Sequence, residues 1–217
     1  MLRVVVQHDP RRADLLPRLL PDLPGAQVVA DPDPTNPKRS PWRCYLACLS
    51  QIKPDDSHLL IIQDDALVCL DFLPTVENVI AAHPDRITCL FVPGTPHGGS
   101  RAMLDACGRD EHWARIPEQA FVPCVAIVWP SAEAEALLAY SEARPFARGR
   151  TADDANVKEW AKIAQRPVWM TVPSLVDHPD DVASLAGQTA MGGRNPARTA
   201  CCWAGREWSP SQVDWAT

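Results

Sequence analysis

Between His58 and Val68 the chain reads HLLIIQDDALV: four apolar residues run straight into Gln63, Asp64 and Asp65, and apolar residues resume at once. So short and apolar a run is the pattern of a strand buried on both faces, as in a parallel sheet covered by helices. Such a strand cannot end on two adjacent carboxylates without compensation, because like charges repel and each resists leaving water. A cation is expected beside them, either a metal or a basic side chain. The alternative is that the acids only close the strand as an Asx-type turn.

The rest of the chain supports that architecture. LRVVVQH (2–8) reads as a first buried strand, and AQVVADPDP as a second one ending in a Pro/Asp turn. Residues 11–23 have leucines at helical spacing but carry Pro17 and Pro21, which predicts a short or broken helix. Ser40 followed by Pro41 predicts a helix start. DFLPTVENVIAAHP reads as a helix or two turns, and RITCLFVPG as a fourth strand. Strands alternating with helices up to about residue 93 predict an α/β fold with a mostly parallel, doubly wound central sheet and helices on both faces. Further along, 121–130 reads as a strand. Helices are predicted over 131–143, with Ser131 as N-cap, and over 151–165, with Thr151 as N-cap. PVWMTVPSLVDH reads as a strand running into a turn. The expected division is 1–93, 94–190 as the second half of the same domain, and 191–217 as a tail or arm bearing Trp203, Trp208 and Trp215.

Bulk properties exclude several classes. A chain of 217 residues, 46% hydrophobic and 22% charged, can bury a sizeable core. The formal charge is −6, with 9 basic against 12 acidic residues before Pro93 and 12 against 15 from there on, so neither half is a basic nucleic-acid module. No segment has the length and apolarity of a membrane span, and the first residues do not read as a signal peptide, so a cytoplasmic location and no membrane partner are expected. The eight cysteines contain no CxxC pair, which argues against zinc and for reduced thiols, with Cys69, Cys89 and Cys124 in apolar runs. No GxGxxG follows the first strand and no GxSxG elbow occurs, which speaks against a dinucleotide-dependent dehydrogenase and a serine hydrolase.

In doubly wound sheets, ligands bind outside the carboxyl ends of the strands. Gln63, Asp64 and Asp65 sit at such an end, and their oxygens suit a hard divalent cation, Mg²⁺ or Mn²⁺. Two other groups are candidates: Asp153 and Asp154 in TADDAN, and His178 after the strand-like VPSLV. Each also has an ordinary structural reading, as a helix start and as a satisfied polar side chain.

The order of these pieces resembles the small GT-A-type glycosyltransferases, including short phage-encoded and actinobacterial-type members. The resemblance is carried by the N-terminal strand-helix-strand, the helix beginning at Trp42-Arg43 before HLLIIQDDALV, the later ADDAN, and VPSLVDHPDDVASL. It spans roughly residues 1–187. It implies a GT-A-like Rossmann-type sandwich, a nucleotide-sugar donor (a UDP-sugar is the expected one) and Mn²⁺ or Mg²⁺. Carried onto this sequence, it implies Asp65 and His178 as metal ligands. Asp153 or Asp154 would be the acid that deprotonates or positions the acceptor hydroxyl. Gln7, His8, Asp9, Asp33, Arg43, Gln63 and Asp64 would lie in the donor pocket, although many members have an acid where Gln63 stands. Arg144, Arg148 and Arg150 could clamp a diphosphate or contact an anionic acceptor, or be a solvated surface.

The implied acceptor is a hydroxyl, on a hydroxymethylated pyrimidine of DNA, on a protein or on a small molecule. A DNA acceptor predicts an affinity that falls steeply with salt. Two other classes share these features: a nucleotidyltransferase-like nucleotide-sugar enzyme, though no Gly-rich phosphate loop is present, and a non-catalytic binding protein whose Trp-bearing tail is an interface.

Overall fold

A computed structural model of the protein describes residues 1–36, 40–95, 98–143, 152–179 and 199–217. The central sheet has seven strands: β1 (Leu2–His8), β2 (Gln27–Ala30), β3 (His58–Gln63), β5 (Ile87–Cys89), β6 (Trp113–Arg115), β7 (Ala126–Pro130) and β8 (Val168–Thr171). Their spatial order is β2-β1-β3-β7-β5-β8-β6. Five strands share one direction, while β7 and β6 run against them, so the sheet is mixed. The reversed β7 sits in the middle, between β3 and β5. A second sheet of two short strands pairs β4 (Leu67–Val68) with β9 (Val176–Asp177), antiparallel.

Side chains alternate across the sheet, as strand geometry requires. Val5, Leu59, Ile61, Ile127 and Trp129 face one apolar cluster, and Val6, Leu60, Ile62, Ala126 and Val128 face another. Helices α2 (Ser40–Leu49), α4 (Gly98–Cys107), α5 (Ser131–Ala143) and α6 (Asp153–Ile163) contribute to the first cluster. The second is built with α1 (Leu16–Leu19) and α3 (Phe72–Ala82). Both faces are therefore covered, and β3 is buried over its whole apolar run, as its sequence predicts.

Several local expectations differ from the fold. Ser131 is the first residue of α5, and its hydroxyl donates to Asp56 O at 2.5 Å instead of capping. The cap position of α6 falls on Ala152, and Thr151 lies outside the described residues. The region 121–130 is a strand only from Ala126; residues before it run as irregular chain toward the sheet end. The short elements β4, α4 and β6 have no counterpart among the sequence-based expectations. Of the C-terminal region, residues 199–217 are described, and Trp215 is buried in the second cluster.

Candidate functional site

At the carboxyl ends of β1 and β3 the structure has a cavity of about 590 Å³. The register that aligns Gln7 with Gln63 brings both strands to the same edge. The N-terminus of α6 and the chain before β7 close the far side. Of the residues singled out in the sequence, Gln7, His8, Asp9, Gln63, Asp64, Asp65, Asp153, Asp154 and His178 all line this cavity. Asp33 and Arg43 do not. Arg43 grips Asp31, which does line the cavity, at 2.7 and 2.8 Å and spends a further N–H on the Asp33 carbonyl at 2.6 Å. Arg144, Arg148 and Arg150 lie outside the described residues.

Asp65 and His178 are 113 residues apart in sequence, yet His178 Nε2 lies 2.7 Å from Asp65 Oδ2. The small β4–β9 sheet makes this meeting: Leu67 is opposite Asp177, which places the residues just outside the ladder beside one another. Both side chains are almost fully buried. The second ring nitrogen of His178 faces Pro179 O at 3.2 Å. Asp64 points to the other side of the strand end, where Oδ2 lies 2.8 Å from His8 Nδ1 and accepts the Asp9 N–H at 2.9 Å.

The cation expected beside the two acids includes a basic side chain, Arg12. One of its terminal nitrogens donates to Asp65 Oδ2 and lies 3.3 Å from Asp64 Oδ1. Burial nevertheless holds the Asp64 carboxyl above its ordinary range, with neighbouring Asp65 acting in the same direction and the Asp9 N–H, Arg12 and His8 opposing. Asp9 is shifted the other way, mainly by its bidentate pair with Arg11 at 2.9 and 2.6 Å. Arg12, Arg11 and Asp31 all line the cavity, and sequence reasoning did not select them. The available signal for Arg12 was its position four residues past the end of β1, at the carboxyl edge where the acids also lie.

Across the cavity sits a second acidic pair. Asp153 is buried, and burial with the adjacent Asp154 pushes its carboxyl up to about 6. Its Oδ2 accepts from Gln63 Nε2 at 3.2 Å, and its Oδ1 accepts the Asp154 N–H at 2.9 Å. Asp154 is also raised by burial. Gln7 donates to Pro41 O at 2.9 Å, which holds its amide against the start of α2. A carboxyl with an affinity for protons near neutrality can take one from a hydroxyl or return it. Phe91, Phe121 and Pro123 supply apolar wall between the two acidic pairs.

Among the described residues no group of three or more His, Cys, Asp and Glu is arranged to hold a metal ion. Nor is any helix among them long and apolar enough to cross a membrane. No protein-family model matches this chain, and no curated protein matches it either.

Proposed function

We propose that this protein is a GT-A-type glycosyltransferase that moves a sugar from a nucleotide-sugar donor, with UDP as carrier, to an acceptor hydroxyl. The observation that carries the reading is the convergence of Asp65 and His178 at 2.7 Å, in the same cavity as Asp153, whose carboxyl is raised to about 6. A sheet whose central β7 runs against its neighbours, with the cavity at the carboxyl ends of β1 and β3, is compatible with this reading.

A carboxylate oxygen and an imidazole nitrogen are ligand types that a divalent ion of the Mn²⁺ type accepts; such an ion would displace the Arg12 and His178 contacts at Asp65 Oδ2 and draw its other ligands from substrate and water. Asp65 and His178 would hold it. When bound, such an ion neutralises negative charge on a departing diphosphate. The chain's own groups do the rest. Arg12 adds fixed positive charge at the same wall. His8, Asp9 and Asp64 form the adjoining wall for the donor. Asp153, oriented by Gln63, takes the proton from the acceptor hydroxyl as that oxygen attacks the sugar carbon. Asp154 lines the same end of the cavity. Candidate acceptors are a hydroxymethylated pyrimidine of DNA and a protein hydroxyl.

The test is thermal unfolding of the full chain with a panel of nucleotide sugars, each with and without Mn²⁺. A ligand that binds only the folded state raises the melting temperature. We expect one donor to do so in a metal-dependent manner, and Asp65→Ala to abolish the dependence along with sugar transfer. Metal-dependent transfer that persists in Asp65→Ala overturns the assignment.

A further inference from the structure

Residues 199–204 form a strap laid between the chain just beyond β5 and the chain just beyond β8. Gly94 N–H donates to Thr199 O and Cys201 N–H to Val92 O, both at 2.7 Å. On its other flank Ser174 N–H donates to Cys202 O at 2.8 Å and Ala204 N–H to Ser174 O at 3.0 Å. Ala200 N–H reaches Asp177 Oδ1 at 2.5 Å, next to His178. The strap thus braces both the loop bearing Pro93, which lines the cavity, and β9.

The strap carries two successive cysteines that differ in burial. Cys201 is buried, with its thiol directed to Ser100 O at 3.7 Å. Cys202, at φ 67°, packs half-buried against the first apolar cluster, and its Sγ lies 3.3 Å from the Sγ of Cys107, the last residue of α4. Cys107 is exposed and Cys202 half-buried, whereas Cys44, Cys48, Cys69, Cys89 and Cys124 are all buried. A bonded sulfur pair stands about 2.0 Å apart, so a modest approach of two side chains joins them.

We propose that Cys107 and Cys202 are a covalent modification site, at which a two-electron oxidant of the peroxide class forms a disulfide that fastens the strap to α4. The inference rests on these two sulfurs and is independent of the sugar-transfer reading. The exposed Cys107 meets the oxidant first, since burial pushes the Cys202 thiol up to about 12. Cys107 sulfur attacks a peroxide oxygen, the O–O bond breaks, and sulfenic acid and one water result once the thiol proton has passed to the released hydroxide. Cys202 sulfur then displaces the sulfenic hydroxyl, which leaves with the Cys202 proton as a second water. Two thiols and one hydrogen peroxide thus become one disulfide and two waters. Small-molecule thiols reverse the bond by exchange.

The experiment treats the reduced full chain with one equivalent of hydrogen peroxide, alkylates the remaining thiols, and digests it with trypsin without reductant. Cleavage after arginine releases residues 102–109 and 199–206, which carry the two sulfurs. We expect these peptides linked in wild type and in Cys201→Ser, and unlinked in Cys107→Ser and in Cys202→Ser. We also expect the oxidised wild type to melt at least about 5 °C above the reduced form, because the link closes a long loop of the unfolded chain. Cys107 lies on the surface, so its serine variant folds and keeps the control interpretable. Peroxide treatment that leaves the two peptides separate, or that links them equally in Cys202→Ser, overturns the proposal.

Discussion

Asp64 and Asp65 stay buried as neighbours because three side chains divide their charge: Arg12 spans both, His8 faces Asp64, and His178 faces Asp65. Removing one partner from such a group leaves a charge buried without compensation, which typically costs about 3–5 kcal/mol. Arg12→Met should therefore lower stability at pH 7 by about that amount in urea titrations. Part of the loss should return at pH 5, because the Asp64 carboxyl, already raised, takes up a proton more readily once Arg12 is gone. Asp153 calls for the opposite experiment. Its carboxyl binds a proton more tightly in the fold, up to about 6 against an ordinary 3.8, so its favourable contribution is complete below about pH 4 and is lost as pH rises through 6. Asp153→Asn should then be more stable than wild type at pH 7, by roughly 1–3 kcal/mol, and equal to it near pH 4. If Asp153 is the base, sugar transfer should fall on the acid side with an apparent midpoint near 6 and vanish in Asp153→Asn. Asp64, Asp65 and His178 were legible in the sequence because each lies at the end of an apolar run, and Asp153 and Asp154 because they open a helix. Arg12 was not, since residues 11–23 read only as a short or broken helix, and only the fold shows that its first residues lie over the end of β3.

Among the elements, the long apolar strands and the helices with clear periodicity were legible, and the short ones were not. β4 and β9 have two residues each, and although VPSLV reads as strand-like nothing in either segment shows that the two pair; yet their ladder is what joins Asp65 to His178. Helix α4 begins in glycines, which conceal a helix start, and β6 spans three residues at the sheet edge. The reversed β7 was equally hidden, because a buried strand has the same apolar pattern in either direction. The C-terminal turn at Pro210–Gln212 shows how aperiodic sequence can still be structural. Asn78 on α3 donates to Ser211 O at 3.1 Å, and Trp113 Nε1 donates to Trp215 O at 2.8 Å. Trp215 is 2% exposed and stands edge-on to Trp113, with ring centroids 6.0 Å apart. Trp215→Ala should cost about 3–5 kcal/mol by the usual large-to-small penalty. Denaturant unfolding measures it directly, and a loss under 1 kcal/mol would mean that the indole contributes little to the second cluster.

For the molecule as a whole, the sheet decides where the polar cavity lies. Most polar groups of the cavity sit at one edge, on or just beyond β1, β2, β3, β9 and the start of α6, while the apolar clusters on both faces hold that edge in place. The same strand order has a consequence for biosynthesis. His58–Gln63 leaves the ribosome long before Ala126–Pro130, its hydrogen-bonded neighbour on one side. At about 5–20 residues per second the growing chain carries HLLIIQ with one flank bare for several seconds. An unpaired apolar edge of that kind is a template for a second nascent copy. The finished protein conceals this edge entirely, so the hazard belongs to translation, and slower elongation or scarce chaperones should turn it into insoluble material without any change in the stability of the native state.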